Sequence, residues 1–173
     1  MKNLIISFFF FLFLLLPKVN YASHAAGLDL TYECISANQY KVRLTFYREC
    51  SGTPPAPNGS WSGGLTYINV YSPSSGSTAA LNLIEVTPSP VPVFPTISSN
   101  PSCPYTGTCF GGSTPQAQIY TYEGIVLLPY NRTDWTITAA IVARNPTITT
   151  VNNSGNYAIC VRAVINNTAS VGC

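Results

Sequence analysis

Charge is scarce in this chain: only 8% of its 173 residues are Asp, Glu, Lys or Arg, where a soluble domain usually carries about 25%. There is one histidine, His24, and one methionine, the initiator, while the six carboxylates are scattered along the sequence. General acid–base catalysis and metal ligation need several such side chains brought together. A catalytic role, a bound metal and a cofactor are therefore not expected. No G-x-S-x-G elbow occurs, and the single imidazole has no second one near it to complete a hydrolase site. A sustained helical period is also missing, which argues against a helical bundle.

A basic surplus disappears as well once the N-terminal segment is set aside. Lys2 precedes an apolar run at residues 4–16, interrupted only by Ser7 and ended by Pro17. The pattern predicts a secretory signal peptide over residues 1–25, with cleavage between Ala22 and Ala26. The run falls short of the roughly 20 residues that cross a bilayer, so no membrane span is expected after cleavage. Without Lys2 and Lys18, six Lys/Arg face six Asp/Glu. Nucleic acid and anionic membranes select a basic surplus, so neither is an expected partner. A neutral, charge-poor surface favours association instead, with other extracellular domains or with copies of itself. Residues 26–173 suffice for one domain with a core of its own.

Period-two alternation dominates those residues. In 27–34, Leu28, Leu30, Tyr32 and Cys34 share a face, and in 39–50 Tyr40, Val42, Leu44 and Phe46 do so. With Ser36, Ala37 and Asn38 between them, the two segments predict an antiparallel hairpin. Further strands are expected at 65–71, 80–86, 117–128, 134–144 and 156–165, all rich in Thr, Tyr, Ile and Val. Gly124 shifts the apolar positions from Tyr120 and Tyr122 to Ile125 and Leu127, which suggests a bulge or bend. Seven strands predict an all-β, two-sheet antiparallel sandwich with an immunoglobulin-like Greek-key layout. Its long Pro/Gly-rich loops would be 51–64, carrying Trp61, and 87–115, whose prolines are spaced like an extended polyproline segment.

Six cysteines in an exported chain predict disulfides. Zinc fits poorly, because the C-x5-C pair of Cys103 and Cys109 has no second close pair or nearby His. Cys103 with Cys109 is the local pairing favoured. Cys34 sits at the hairpin turn opposite Tyr40, whereas Cys50 lies ten residues further along the partner strand. At about 3.3 Å per residue that separation far exceeds disulfide reach. Cys34 and Cys50 are each expected to pair with Cys160 or Cys173, in either arrangement.

Other features weigh less. Asp29 and Glu33 share a strand face, but hard cations want more oxygen ligands than two carboxylates supply. Asn58, Asn131, Asn152 and Asn166 begin N-x-S/T sequons. Trp61, Tyr67 and Tyr71 form the best candidate platform for stacking sugar rings, since a loop carrying Trp61 leads into the strand carrying both tyrosines.

Several short motifs carry a resemblance. Ser23-His24-Ala25-Ala26-Gly27, Asp29-Leu30-Thr31-Tyr32-Glu33-Cys34, Asn38-Gln39-Tyr40 and Phe46-Tyr47-Arg48-Glu49-Cys50 resemble the opening of large secreted Bacteroidota proteins. Those proteins often carry PKD-like or other immunoglobulin-like modules and end in a gliding-motility-associated, type IX secretion C-terminal domain. Tyr120-Thr121-Tyr122-Glu123-Gly124, Asp134-Trp135-Thr136, Ala143-Arg144-Asn145 and Asn166-Asn167-Thr168 continue it. Where that family has cysteines, this chain has Arg132-Thr133 and Val142-Ala143, so the resemblance implies one disulfide fewer. It also implies either a stand-alone domain or the first domain of a longer protein. The leading expectation is a non-catalytic extracellular structural or adhesive module of a cell surface or secreted assembly. The alternative is a carbohydrate-binding module using Trp61, Tyr67 and Tyr71.

Overall fold

The hairpin forms where its alternation places it. In the computed structural model, β1 (Ala25–Ser36) runs antiparallel to β2 (Gln39–Glu49), with Cys34 opposite Tyr40. Asn38 turns the chain at a φ of 61°, a conformation that Asn tolerates better than most residues. The structure describes residues 25–50, 59–61, 66–87, 91–93, 117–142, 144, 152–154 and 157–168, with backbone alone for 91–93. The expected leader with His24, most of the loops expected at 51–64 and 87–115, and Cys103, Cys109 and Cys173 lie outside the described residues.

The remaining strands are β3 (Thr66–Tyr71), β4 (Thr78–Ala79), β5 (Ile84–Glu85), β6 (Val91–Val93), β7 (Ala117–Leu127), β8 (Trp135–Val142) and β9 (Ala158–Ile165). No α-helix occurs among the described residues. One sheet has the order β1-β2-β7-β5, with β6 also paired to β7; the other has β4-β3-β8-β9. All ladders are antiparallel. With strands lettered in chain order and β5 and β6 taken as one interrupted edge, these are sheets A-B-E-D and C′-C-F-G. That is the immunoglobulin-like arrangement.

The core lies between the inner faces. Val42, Leu44 and Phe46 of β2 and Tyr122 and Val126 of β7 meet Val70 of β3 and Trp135, Ile137, Ala139 and Ile141 of β8. Burying side chains of this size stabilises a fold by about 1.5–3 kcal/mol each relative to exposure.

Three sequence expectations are corrected. The alternation of β7 never shifts: Tyr122, Val126 and Leu128 are buried while Ile125 and Leu127 are 55% and 65% exposed. The register against β2 runs unbroken from Gln39 and Leu127 to Glu49 and Ala117. Gly124 serves close approach and not a bulge, because a Cβ there would lie 2.0 Å from the carbonyl oxygen of Asn82. The segment 80–86 contributes only Ile84–Glu85 as strand. Its earlier residues carry the chain from β4 in one sheet to β5 in the other, dropping Leu83 into the core on the way. Trp61, expected on an exposed loop, is fully buried.

Candidate functional site

Trp61 fails as a sugar platform for a physical reason. Its ring stands edge-on to Phe46 and Tyr122, with centroids 5.5 and 5.1 Å away. Its indole N–H donates to the carbonyl of Tyr67 at 3.2 Å, and its backbone N–H donates to Leu83 O at 2.8 Å. A large aromatic with its one polar atom satisfied is a core residue. Tyr67 is exposed and Tyr71 half-buried on the outer face of β3, four residues apart, without the tryptophan. The three residues therefore do not share a surface.

The outer face of the A-B-E-D sheet carries a charge ladder. Arg43 Nε donates to Glu123 Oε1 at 2.7 Å while its Nη2 lies 2.6 Å from the same oxygen, and Lys41 Nζ approaches Glu123 Oε2 at 3.0 Å and Glu33 at 3.8 Å. Those two cations hold the Glu123 carboxyl below the usual carboxylate range. Cross-strand register aligns the groups, since Lys41 opposes both Glu33 and Ile125, and Arg43 opposes Glu123. Ile84, Val86, Ile125 and Leu127 stand exposed around the ladder. Asp29 shares this outer face, opposite Thr45, so it and Glu33 lie on a solvated surface.

A second polar network locks one end of the sandwich. Asn167 donates to Asn38 Oδ1 at 2.8 Å and to Tyr130 O at 3.1 Å, and its Oδ1 accepts from Arg132 N at 2.6 Å. Asp134 accepts from the Ser72 hydroxyl at 2.7 Å and from Ser74 N at 2.8 Å, which keeps its carboxyl low. Both constellations are connections between loops.

A further feature is the seam where β1 of one sheet meets β9 of the other. Both are edge strands. At one end the seam is closed: the Tyr32 hydroxyl donates to Val164 O at 2.8 Å, and the Tyr32 ring leans edge-on against Tyr40. At the other end it opens into a slot of about 450 Å³ lined by Ala26, Gly27, Leu28, Arg144, Ala158, Ile159, Cys160 and Val161. Residue 25 marks that end too, through a parallel bridge between Ala25 and Arg144.

The two edges differ in how they are guarded. β1 has register shifts at Ala25/Gly27 and Cys34/Ser36 and carries Asp29 and Glu33, devices that discourage strand addition. β9 keeps a regular register with β8 throughout and bears one charge, Arg162. Val164 O points away from β8, towards Tyr32. Lateral direction repeats every second residue, so the N–H and C=O groups of Ala158, Cys160 and Arg162 point the same way. Among the described residues none of those backbone groups has a partner on that side.

β8, the strand without charge, is not an open edge. It lies between β3 and β9 and is almost wholly buried. The cysteines divide similarly. Cys34 and Cys50 are both in disulfides and sit at opposite ends of β2. Cys160, expected as one possible partner, instead carries a free, exposed thiol on β9. Sequence reasoning did not single out Arg144, whose Nε is buried in the seam without a hydrogen-bond partner. The available signals were its place in the Ala143-Arg144-Asn145 motif and its position just after the charge-free run of β8. Among the described residues no group of three or more His, Cys, Asp or Glu side chains could hold a metal ion.

In comparisons with known proteins, the chain matches no family model, no curated protein and no solved structure.

Proposed function

We propose that this chain is a non-catalytic extracellular module, structural or adhesive in role, belonging to a bacterial cell surface or secreted assembly. The observation that carries this reading is the unguarded β9 edge, with its open backbone groups beside a slot. A rigid sandwich that leaves one regular edge free offers main-chain hydrogen bonds for affinity and alternate side-chain positions for specificity. The leader at 1–25 and the disulfides at Cys34 and Cys50 support export, and the motif resemblance supports a Bacteroidota surface.

The experiment is to express the chain with its leader in a Bacteroidota host, locate it by fractionation, and titrate the purified mature chain onto intact cells by flow cytometry. Saturable cell binding by the exported chain is the expected result. A chain retained in the cytoplasm, or one exported but indifferent to the envelope at micromolar concentration, would refute the reading.

A further inference from the structure

We propose that the slot between β1 and β9 binds an extended segment of a partner protein, which adds as a strand alongside residues 158–162 and sets a carboxylate against Arg144. The proposal deepens the adhesive reading above and rests on it.

Four observations converge on the slot. First, Ala158, Cys160 and Arg162 present consecutive outward donors and acceptors on an edge without bulge, proline or lysine. Such an edge is a template for one more strand. Second, the space beside it, about 450 Å³, falls within the range of about 300–1,000 Å³ typical of ligand sites. Third, the walls carry small or apolar side chains, Ala26, Gly27 and Leu28 on one side and Ala158, Ile159 and Val161 on the other, between which most of the exposed surface is polar. Small side chains leave room for a guest backbone, and the polar surface suits its N–H and C=O groups. Fourth, Arg144 lines the slot with its Nε buried and unpartnered. That cation lines a partly enclosed site, which favours a guest Asp or Glu beside it.

The shape of the seam selects a single extended segment over a second copy of the chain. The Tyr32 to Val164 hydrogen bond draws the two edges together at one end and the Ala25 to Arg144 bridge ties the start of β1 at the other, so the slot is a wedge between two ties. In a second copy, β9 would arrive with its own β1 held along the same open edge by the same bond. A free strand has no such flank and enters the wedge alone.

The test uses the purified mature chain and a ten-residue peptide of alternating Thr and Val with one central Glu. Binding is followed by fluorescence anisotropy and by the rate of alkylation at Cys160, mapped by mass spectrometry. We expect the peptide to bind and to slow Cys160 alkylation by about tenfold at saturation. The same peptide N-methylated at alternate residues should not bind, because it cannot donate to the edge. Replacing its Glu by Lys should weaken binding by about tenfold, the loss of one hydrogen bond to a charged group. Arg144→Gln should erase that Glu/Lys difference; if this variant does not fold, the peptide series on the unaltered chain still decides. Equal binding of the N-methylated peptide, or unchanged alkylation of Cys160, would overturn the proposal. So would a concentration-dependent dimer that protects Cys160 without peptide. A chain that binds cells yet ignores every peptide would sink the slot while leaving the adhesive module standing.

Discussion

Replacing Asn167 by alanine should be among the most damaging single changes at the chain's polar positions. The side chain is 9% exposed and makes three hydrogen bonds that join the β1–β2 turn, the connection between β7 and β8, and the end of β9. Each is worth about 1 kcal/mol net. Tyr130 O keeps a donor in the Trp135 indole at 2.9 Å, so it is not orphaned. Arg132 N loses its short acceptor in a part-buried site, which costs about 1–3 kcal/mol by itself. The sum is about 2–4 kcal/mol, or a fall in Tm of roughly 5–15 °C for a domain of this size. Asn166→Ala is the control: its exposed side chain accepts only from Thr168, and its effect should stay within about 0.5 kcal/mol. Thermal unfolding by circular dichroism, with disulfides intact, measures both. If Asn167→Ala unfolds within about 0.5 kcal/mol of the parent, or no differently from Asn166→Ala, the network is not what holds this end together.

Trp61→Ala should destabilise by about 3–5 kcal/mol in urea denaturation, while Tyr67→Ala, at an exposed position, should shift stability by no more than about 0.5 kcal/mol; equal effects would contradict the buried placement of Trp61. Gly124→Ala should cost about 1–3 kcal/mol or more, because the new methyl meets the backbone of Asn82 and not a movable side chain; an unchanged denaturation midpoint would refute the close approach. Glu123 and Asp134 have folded pKa values held below their reference values of 4.5 and 3.8. Their contribution is present above those values and lost as pH falls through the folded ones, so stability should decline below about pH 4. Tyr122 is shifted the other way: burial, with Glu85 and Tyr120 adding, raises its phenol above 10.0. Its contribution is therefore present below pH 10 and is lost as pH rises beyond that, and a chemical-denaturation series from pH 2 to 12 should show both declines. A midpoint independent of pH at both ends would contradict these assignments.

Alternation along the chain was enough to find the hairpin at 25–49, most strands beyond it, and the sandwich class, because period two is a local property of a pleated strand with one buried face. The same local reasoning placed Cys34 at the turn and Cys50 at the far end, since distance along a strand follows from residue count alone. Three features depended on contacts between residues distant in sequence. Gly124 looked like a bulge because Ile125 and Leu127 are apolar, yet both face solvent; only the crossing of Asn82 over β7 explains the glycine. Trp61 looked exposed because its neighbours are Ser and Gly, yet the cavity between Phe46 and Tyr122 claims it. β8 carries no charge, and only the pairing order shows that this composition reflects burial on both faces and a neighbour on both sides. Which strand is an edge is a property of pairing order, and pairing order is not written in any one strand. That is why the seam of β1 and β9, with Arg144 and Cys160 both lining its slot, exists only in the tertiary structure.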